Sequence, residues 1–491
     1  MPQHHSTPPR GLELAPQSIL IAGRFGRMFR NLPGLEPADS DLKKLAEAML
    51  EPPEEDEDGE QPPQPPPPYP GNGGEEGPNF DNPDIPSGYT YVGQFIDHDI
   101  TFDPVSSLQR QNDPDGLNDF RTPRFDLDSV YGSGPNNDPF LYDQEARGVK
   151  LLLGQNEHGD GDLPRNSQGR ALIGDPRNDE NVIVSQLQFL FLRFHNKVVD
   201  VVAGEGLSGD QLVEEAQRRV RWHYQWIVAH DFLRRVAGPE VVDNILVERP
   251  YVAGAGTNAS RKEIDLRFYH WQEQPFMPVE FSVAAYRFGH SMIRPDYRIN
   301  TTITQDIPIF VGDPHPAPTA DLRGFRPLPQ DWEIDWSFFF EVGDASHLQP
   351  ARLIDAKLAQ PLVKLPGLHP AALAFRNLKR GKRLDLPSGE RVAAAMGVAP
   401  LTEAELQIVP IAEQLRGHTP LWFYVLKEAE VHANGRRLGP VGGRIVAEVL
   451  LGLLKGDALS YINVEPNWTP TLPAANAGDF TMPDLINFVN S

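Results

Sequence analysis

Apolar residues recur at three- and four-residue steps through most of the chain, most strongly over 182–202. There Ile183, Leu187, Leu190, Phe191, Phe194 and Val198 form one stripe, with Gln, Arg and Lys between them. That period marks an amphipathic helix with one buried face. The same spacing predicts a long aromatic-rich helix over 211–236 and further helices over 281–292, 370–378, 402–411, 420–433 and 442–454. A shorter pattern at 39–49 opens on Asp39-Ser40-Asp41, acidic residues that suit a helix N-terminus. Period-two alternation is scarce, and 301–311 reads as a hairpin or an irregular loop. The expected fold class is mainly α: one large helical domain over 89–491 with little β. Its 49 prolines and 42 glycines, counted over the whole chain, imply long ordered loops between the helices.

Composition divides the remainder. Sixteen of the twenty residues from Glu51 to Pro70 are Pro, Asp or Glu, a mixture that cannot bury apolar surface, so 51–88 reads as an acidic Pro-rich linker or loop without fixed structure. Residues 1–50, with apolar positions among Arg24, Arg27 and Arg30, read as an arm packing on the main domain. Asp and Glu total 68 against 45 Lys and Arg, a net charge of −23 that repels nucleic acid and anionic membrane. The chain has no cysteine, which excludes disulfides, thiolate-held metals and cysteine nucleophiles. A metal must therefore sit on His, carboxylate or carbonyl groups, or on a cofactor.

The longest apolar runs, 18–23 and 445–454, fall short of the ~20 residues that span a bilayer, and the second is broken by Glu448. No transmembrane segment is expected. The start, Met-Pro-Gln-His-His-Ser, lacks the basic region and apolar core of a secretory signal. A soluble protein, cytoplasmic as encoded, is expected, with non-classical export left open. Sequons at Asn258, Asn300 and Asn467 are then read as chance matches.

The chemistry concentrates in Tyr91 to Phe102. If this segment is helical, Gln94 and His98 lie one turn apart on one face, while Asp97 and Asp99 leave in other directions. Phe95, Ile96 and Ile100 make the surroundings apolar, so a His, a Gln and two carboxylates must all find partners there.

Gly93-Gln94-Phe95-Ile96-Asp97-His98-Asp99 resembles the distal-histidine motif of the animal-type haem peroxidases, the superfamily that also contains cyclooxygenases and fatty-acid dioxygenases. Further matches follow in the family's order over roughly 89–460. Gly174-Asp-Pro-Arg177-Asn-Asp-Glu180-Asn181 is similar to the distal-arginine motif and leads into a family-like Phe191-Leu-Arg-Phe-His195-Asn196. Ala285-Tyr-Arg287-Phe-Gly-His290-Ser resembles the proximal-ligand helix, and Arg376-Asn377-Leu-Lys-Arg380 resembles the segment that partners it. On these motifs the chain is identified as a bacterial-like member of the superfamily.

The resemblance implies haem b held by His290. Asn377 would accept the other ring N–H of His290, and Arg287 and Arg380 would face the propionates. It implies reduction of hydrogen peroxide through compound I, a place in the response to oxidative stress, and catalytic roles for three residues. His98 would be base then acid, Arg177 would stabilise charge on the leaving oxygen, and Gln94 would order water or halide. Asp97 and Glu180 fall where mammalian members form ester bonds to haem methyls. Asn181 stands where one of those carries a methionine bonded to a vinyl group, so that link is absent. The expected donors are iodide, bromide, thiocyanate or phenols rather than chloride.

Thr122-Pro-Arg124-Phe-Asp126-Leu-Asp128 resembles the family's calcium loop, with Asp99 completing a shell of oxygens around Ca²⁺. Asp128 stands where many relatives have Ser. Two other readings compete. One is a lipid dioxygenase working through a radical at Tyr286; the other is an idle calcium-binding or adhesive scaffold, which would have no need of Gln94, His98, Arg177, His290 and Asn377 together. Phe268-Tyr269-His270-Trp271 superficially resembles a cyclooxygenase stretch but reads as structural, and His223 and His230 read as core or loop contacts. Sequence leaves the oligomeric state undetermined.

Overall fold

In the computed structural model, which describes residues 23–51, 80–101, 118–119, 121–252, 258–311, 317 and 319–491, helices pack around one apolar core. An N-terminal helix, α1 (Asp39–Ala48), is followed by α2 (Gly88–Ile100) and by the longest, α3 (Val182–Gly204). Asn181 starts α3 by accepting from Val184 N–H at 2.9 Å, a side-chain cap for an otherwise orphaned donor. The stripe from Ile183 to Val198 is buried against α2, α4 (Gly209–Trp226) and the C-terminal helix.

The expected helix over 211–236 is continuous but not uniform. After α4 the backbone widens into a π turn at Ile227–Phe232 before closing again over Leu233–Ala237. The wide turn sets Phe232 against α2 at Gly93, where an added Cβ would lie 3.3 Å from the ring. Farther on come α5 (Leu373–Arg383), displaced toward the C-terminus from 370–378, then α6 (Leu421–Ala433) and α7 (Pro440–Gly456). Buried Glu428 of α6 caps α7, accepting from Val441 and Gly442 N–H at 2.9 and 3.0 Å. A final helix, α8 (Met482–Asn490), opens on a reciprocal cap between Thr481 and Asp484.

Two expected helices differ. Over 402–411 only Glu403–Leu406 is helical, because Gln407 turns left-handed at φ 53° and ends it. Over 281–292 a π turn, Glu280–Ala284, passes into a 3₁₀ turn, Ala285–His290. Over 301–311 the ordered pairing is two residues long, Ile307–Pro308 against Asp296–Tyr297.

Strand β1 (Gly23–Gly26) pairs with 118–119 and with 277–278. Strand β2 (Asp81–Pro86) falls inside the stretch read as a linker, of which 52–79 lies outside the described residues, as does the apolar run at 18–22. Ion pairs at one end and apolar burial at the other hold β2: Arg294 and Arg352 reach Asp81 at 2.7 and 3.3 Å, and Ile85 is buried in the core. A hairpin, β3 (Leu246–Val252) with β4 (Asn258–Ile264), carries many charged residues and so lacked the alternation that announces strands. β5 (Pro350–Arg352) pairs with β2. The N-terminal segment docks on the body near the site: Asp39 of α1 meets Lys379 and Lys382 of α5 at 3.3 and 2.7 Å. Buried Glu280 accepts from Met28 and Phe29 N–H, both at 3.0 Å. Among the described residues no helix is long and apolar enough to cross a membrane.

Candidate active site

Helix α2 delivers Gln94, Asp97 and His98 to the wall of a cavity of about 730 Å³. His98 is 5% exposed. Burial, and next the neighbouring Arg177 charge, lower its pKa, with Glu180 and Asp97 opposing. Its Nδ1 is 2.7 Å from Asn178 Oδ1, and its Nε2 is 3.6 Å from Glu180 Oε1. Gln94 is anchored at both ends of its amide: Nε2 donates to Glu180, and Oε1 accepts from Asn181 Nδ2 at 3.2 Å. Asp97 accepts from the Thr101 hydroxyl at 3.1 Å.

A second wall comes from the 3₁₀ turn Ala285–His290. Side chains at i and i+3 eclipse in that geometry, so Arg287 and His290 both reach the cavity. Burial, then the Arg287 charge, pull His290 down to about 3, leaving a neutral imidazole. The Asn377 amide of α5 meets His290 Nδ1, with 2.8 Å from Nδ2. Turning that amide by 180° sets its oxygen on Nδ1–H, which leaves Nε2 as the ring's free lone pair. Arg380 and Arg376 of α5 line the same cavity, and Ile293, Ile309, Phe310 and Leu365 make much of the rest apolar. A neutral imidazole braced on its far nitrogen, cations beside it and apolar walls are a donor set that fits haem b.

Arg177 stands elsewhere than its expected role requires. Its guanidinium bonds Asp175 at 2.8 Å and the carbonyls of His98 and Thr101 at 3.0 and 2.6 Å, and it does not line the cavity. Burial alone would raise Asp175; hydrogen bonds and charge from Arg177, with the Arg121 charge, hold it well below the usual carboxylate range. Arg121 in turn pairs with Asp128 at 3.0 Å.

Asp99, Asp126 and Asp128 converge, each offering an oxygen within 4.8 Å of the others. Asp99 is fully buried and its Oδ2 has no hydrogen bond. Burial, then the charges of Asp126 and Asp128, raise its pKa, and burial lifts Asp128 to about 7 against the pull of Arg121. Three carboxylates so placed are short of positive charge, which fits a hard divalent cation such as Ca²⁺. Of the other expected ligands, the Thr122 hydroxyl donates to Asp126 at 2.7 Å and the Thr122 carbonyl accepts from Arg124 N–H at 2.8 Å. Arg124 itself is buried.

A family model for animal haem peroxidase matches residues 109–316, a span that holds Arg177, Glu180 and His290 but neither His98 nor Asn377. Thyroid peroxidase of Mus musculus is 26% identical over 60% of this chain and 31% of its own length. Chorion peroxidase of Drosophila melanogaster is 25% identical over 68% of this chain and 41% of its own. Over residues 109–316 the chain is thus similar to the animal haem peroxidases. It spans less than half the length of those curated relatives. The fold is that of peroxidase A from Dictyostelium discoideum, with a TM-score of 0.58 at 16% identity over 84% of this chain and 88% of that one. Fatty acid alpha-dioxygenase of Oryza sativa shares it at 0.54, with 15% identity over 84% and 74%.

Within this peroxidase fold several contributors had no signal in the sequence. Arg323 and Phe325 reach the cavity on a loop whose Gly324 lies so close to Asp179 that a Cβ there would overlap its carbonyl oxygen. Asn178 and Gln188, both fully buried, stand behind His98. The remaining candidates are structural. Tyr269 is buried with its hydroxyl on the Phe276 carbonyl, and Glu448 accepts from the backbone of 267–269. His195 sits between Tyr131 and the Val149 carbonyl, His223 accepts from Thr471 and Leu472 N–H, and His230 meets Tyr461. The Asn300 amide is committed to Asp331 and Glu333 carbonyls, both at 2.8 Å.

Proposed function

We propose that the chain is a peroxidase that holds haem b on His290 and reduces hydrogen peroxide, oxidising iodide, bromide, thiocyanate or a small phenol. The reading rests on one observation: two histidines whose pKa values are lowered, buried His98 and half-buried His290, share a cavity and are braced through Nδ1 by different asparagines. Bound haem would supply the redox chemistry. His98 Nε2 takes a proton from peroxide and returns it to the departing oxygen, while Gln94, fixed by Glu180 and Asn181, orders water or donor beside it. Arg177 acts through His98, its charge adding to burial in lowering the pKa of that imidazole. Asp99, Asp126 and Asp128 hold Ca²⁺. Asp97 and Glu180 line the cavity where they would be able to bond covalently to haem methyls, one hydrogen peroxide serving as the two-electron oxidant for each ester.

Expression with a haem precursor tests this. A Soret band, lost in His290→Ala, and peroxide-dependent oxidation of iodide or guaiacol, lost in His98→Ala, are expected; folded, haem-supplied chain without a Soret band rejects the reading. Haem mass retained on peptides containing Asp97 or Glu180 after peroxide treatment and denaturing extraction supports the esters, and complete release rejects them. A second reading, lipid oxygenation, is favoured by Tyr286. This buried tyrosine lines the cavity with its hydroxyl on the Gly93 carbonyl at 3.1 Å. Oxygenated fatty acid formed by the native chain and not by Tyr286→Phe, with guaiacol oxidation unchanged, would select it.

A further inference from the structure

Behind His98 runs a chain of hydrogen bonds whose polarity is fixed from its far end. Ser129 offers a backbone carbonyl, which can only accept. Gln188 Nε2 donates to it at 3.2 Å, so the Gln188 amide must present Oε1 on its other side. That oxygen accepts from Asn178 Nδ2 at 2.8 Å, so Asn178 in turn must present Oδ1 to His98, 2.7 Å from Nδ1. An acceptor facing Nδ1 requires the proton to be there. Nε2 is then left as the lone pair toward Glu180 and the cavity.

We propose that Asn178 and Gln188 are positioning residues that set the tautomer of His98, reading its orientation from the Ser129 carbonyl. The inference rests on the peroxidase reading for its consequence but on geometry alone for its substance. Neither amide can turn over without placing two donors or two acceptors face to face among buried groups. Asn178, Gln188 and Ser129 are all fully buried, so no bulk solvent can make good such a mismatch. A His98 carrying its proton on Nε2 cannot take one from peroxide on that side. The anchor is itself held beside the acidic cluster: Ser129 follows Asp128, its hydroxyl is 3.5 Å from Asp99 Oδ1, and Gly174 packs on the 128 and 129 carbonyls too closely for a Cβ. Order in the acidic loop thereby reaches the distal base through two side chains, Gln188 and Asn178.

The test is the ¹⁵N spectrum of the full chain labelled at histidine, with His98 assigned by difference against His98→Gln. It is recorded both before haem is supplied and in the diamagnetic ferrous carbonyl form. A protonated Nδ1 and a lone-pair Nε2 are expected in the native chain; protonated Nε2 overturns the proposal without any variant. Asn178→Leu and Gln188→Leu should shift the population toward protonated Nε2, with the peroxide reaction of Asn178→Leu slowed about tenfold or more. Asn178→Asp and Gln188→Glu, which keep an acceptor facing the next group toward His98, should retain the native tautomer. If the leucine variants keep it too, the relay is packing and nothing more. Failure to bind haem would reject the peroxidase reading while the haem-free spectrum still decides the tautomer.

Discussion

Asn181 serves Gln94 and α3 at once: its Nδ2 donates to Gln94 Oε1 at 3.2 Å while its Oδ1 caps the helix through Val184 N–H at 2.9 Å. A position that could have carried an apolar or sulfur-bearing side chain is instead a bracket between the distal glutamine and the start of the longest helix. Replacing it with alanine removes both functions. Asn181→Ala should lose ~1 kcal/mol of stability for the cap and free one end of the Gln94 amide. A lowered unfolding midpoint is the expected result and, on the proposed function, weaker binding of iodide at the distal side. An unchanged midpoint would show that another group caps Val184.

On the other wall, His290 and Asn377 should separate ligation from support. His290→Ala removes the lone pair and should abolish a stable Soret band. Asn377→Leu leaves the imidazole in place but unbraced, and outer-shell losses of this kind typically cost ~10- to 100-fold in affinity. Haem titration followed by absorbance distinguishes the two, and equal affinity of Asn377→Leu and native chain would remove Asn377 from the site.

The acidic cluster gives a prediction of opposite sign with and without cation. Without Ca²⁺, burial and mutual repulsion make Asp99 and Asp128 hard to ionise, so Asp126→Asn with Asp128→Asn should be no less stable than the native chain in chelator. With Ca²⁺ the native chain should gain stability by mass action, ~2.7 kcal/mol at a hundredfold excess over Kd, and the double variant should not. Thermal unfolding across a calcium titration reads both arms. A native chain indifferent to calcium would reject the site.

Sequence carried much of this and stopped at identifiable points. The 182–202 stripe was legible because Gln, Arg and Lys interrupt its apolar steps, even though the first turns of α3 are buried on every side. The π turn at Ile227–Phe232 was not, because Trp222, Tyr224, Trp226 and Phe232 are all buried and aromatic and blur any period. Short-range motifs placed Gln94, Asp97, His98, Glu180, Arg287, His290, Asn377 and Arg380 around one cavity. Where Arg177 points could not be read from its motif, since Asp175 and two backbone carbonyls take its guanidinium. Asn178 and Gln188 were invisible for a different reason: their roles exist only when 98, 129, 178 and 188 meet. Strand β2 looked like linker because Ile85 is its one large apolar residue, and the ion pairs of Asp81 with Arg294 and Arg352 carry no periodic signal.

Away from the cavity, Asp355 should make stability depend on pH. It is 9% exposed, and its Oδ1 accepts from Lys357 N–H at 2.8 Å. Burial raises its pKa; the Lys357 N–H opposes, the Glu430 and Glu51 charges add to the rise, and the Lys357 charge pulls back, leaving it at about 7 against an ordinary 3.8. A carboxyl whose folded pKa is raised contributes stability that is fully present below its unfolded pKa and is lost as pH climbs through the folded one. The native chain should therefore weaken between pH 4 and about 7, where Asp355 is forced to charge beside Glu51 and Glu430. Asp355→Asn keeps an oxygen for Lys357 N–H and never ionises. It should match the native chain near pH 4 and exceed it at pH 8 by ~1–4 kcal/mol, since each tenfold change in proton affinity is worth ~1.36 kcal/mol. Urea unfolding at the two pH values measures the difference directly. A variant weaker than the native chain at pH 8, or a gap that is the same at both, would mean that Asp355 is ionised throughout and that its neighbours stabilise the charge instead of opposing it.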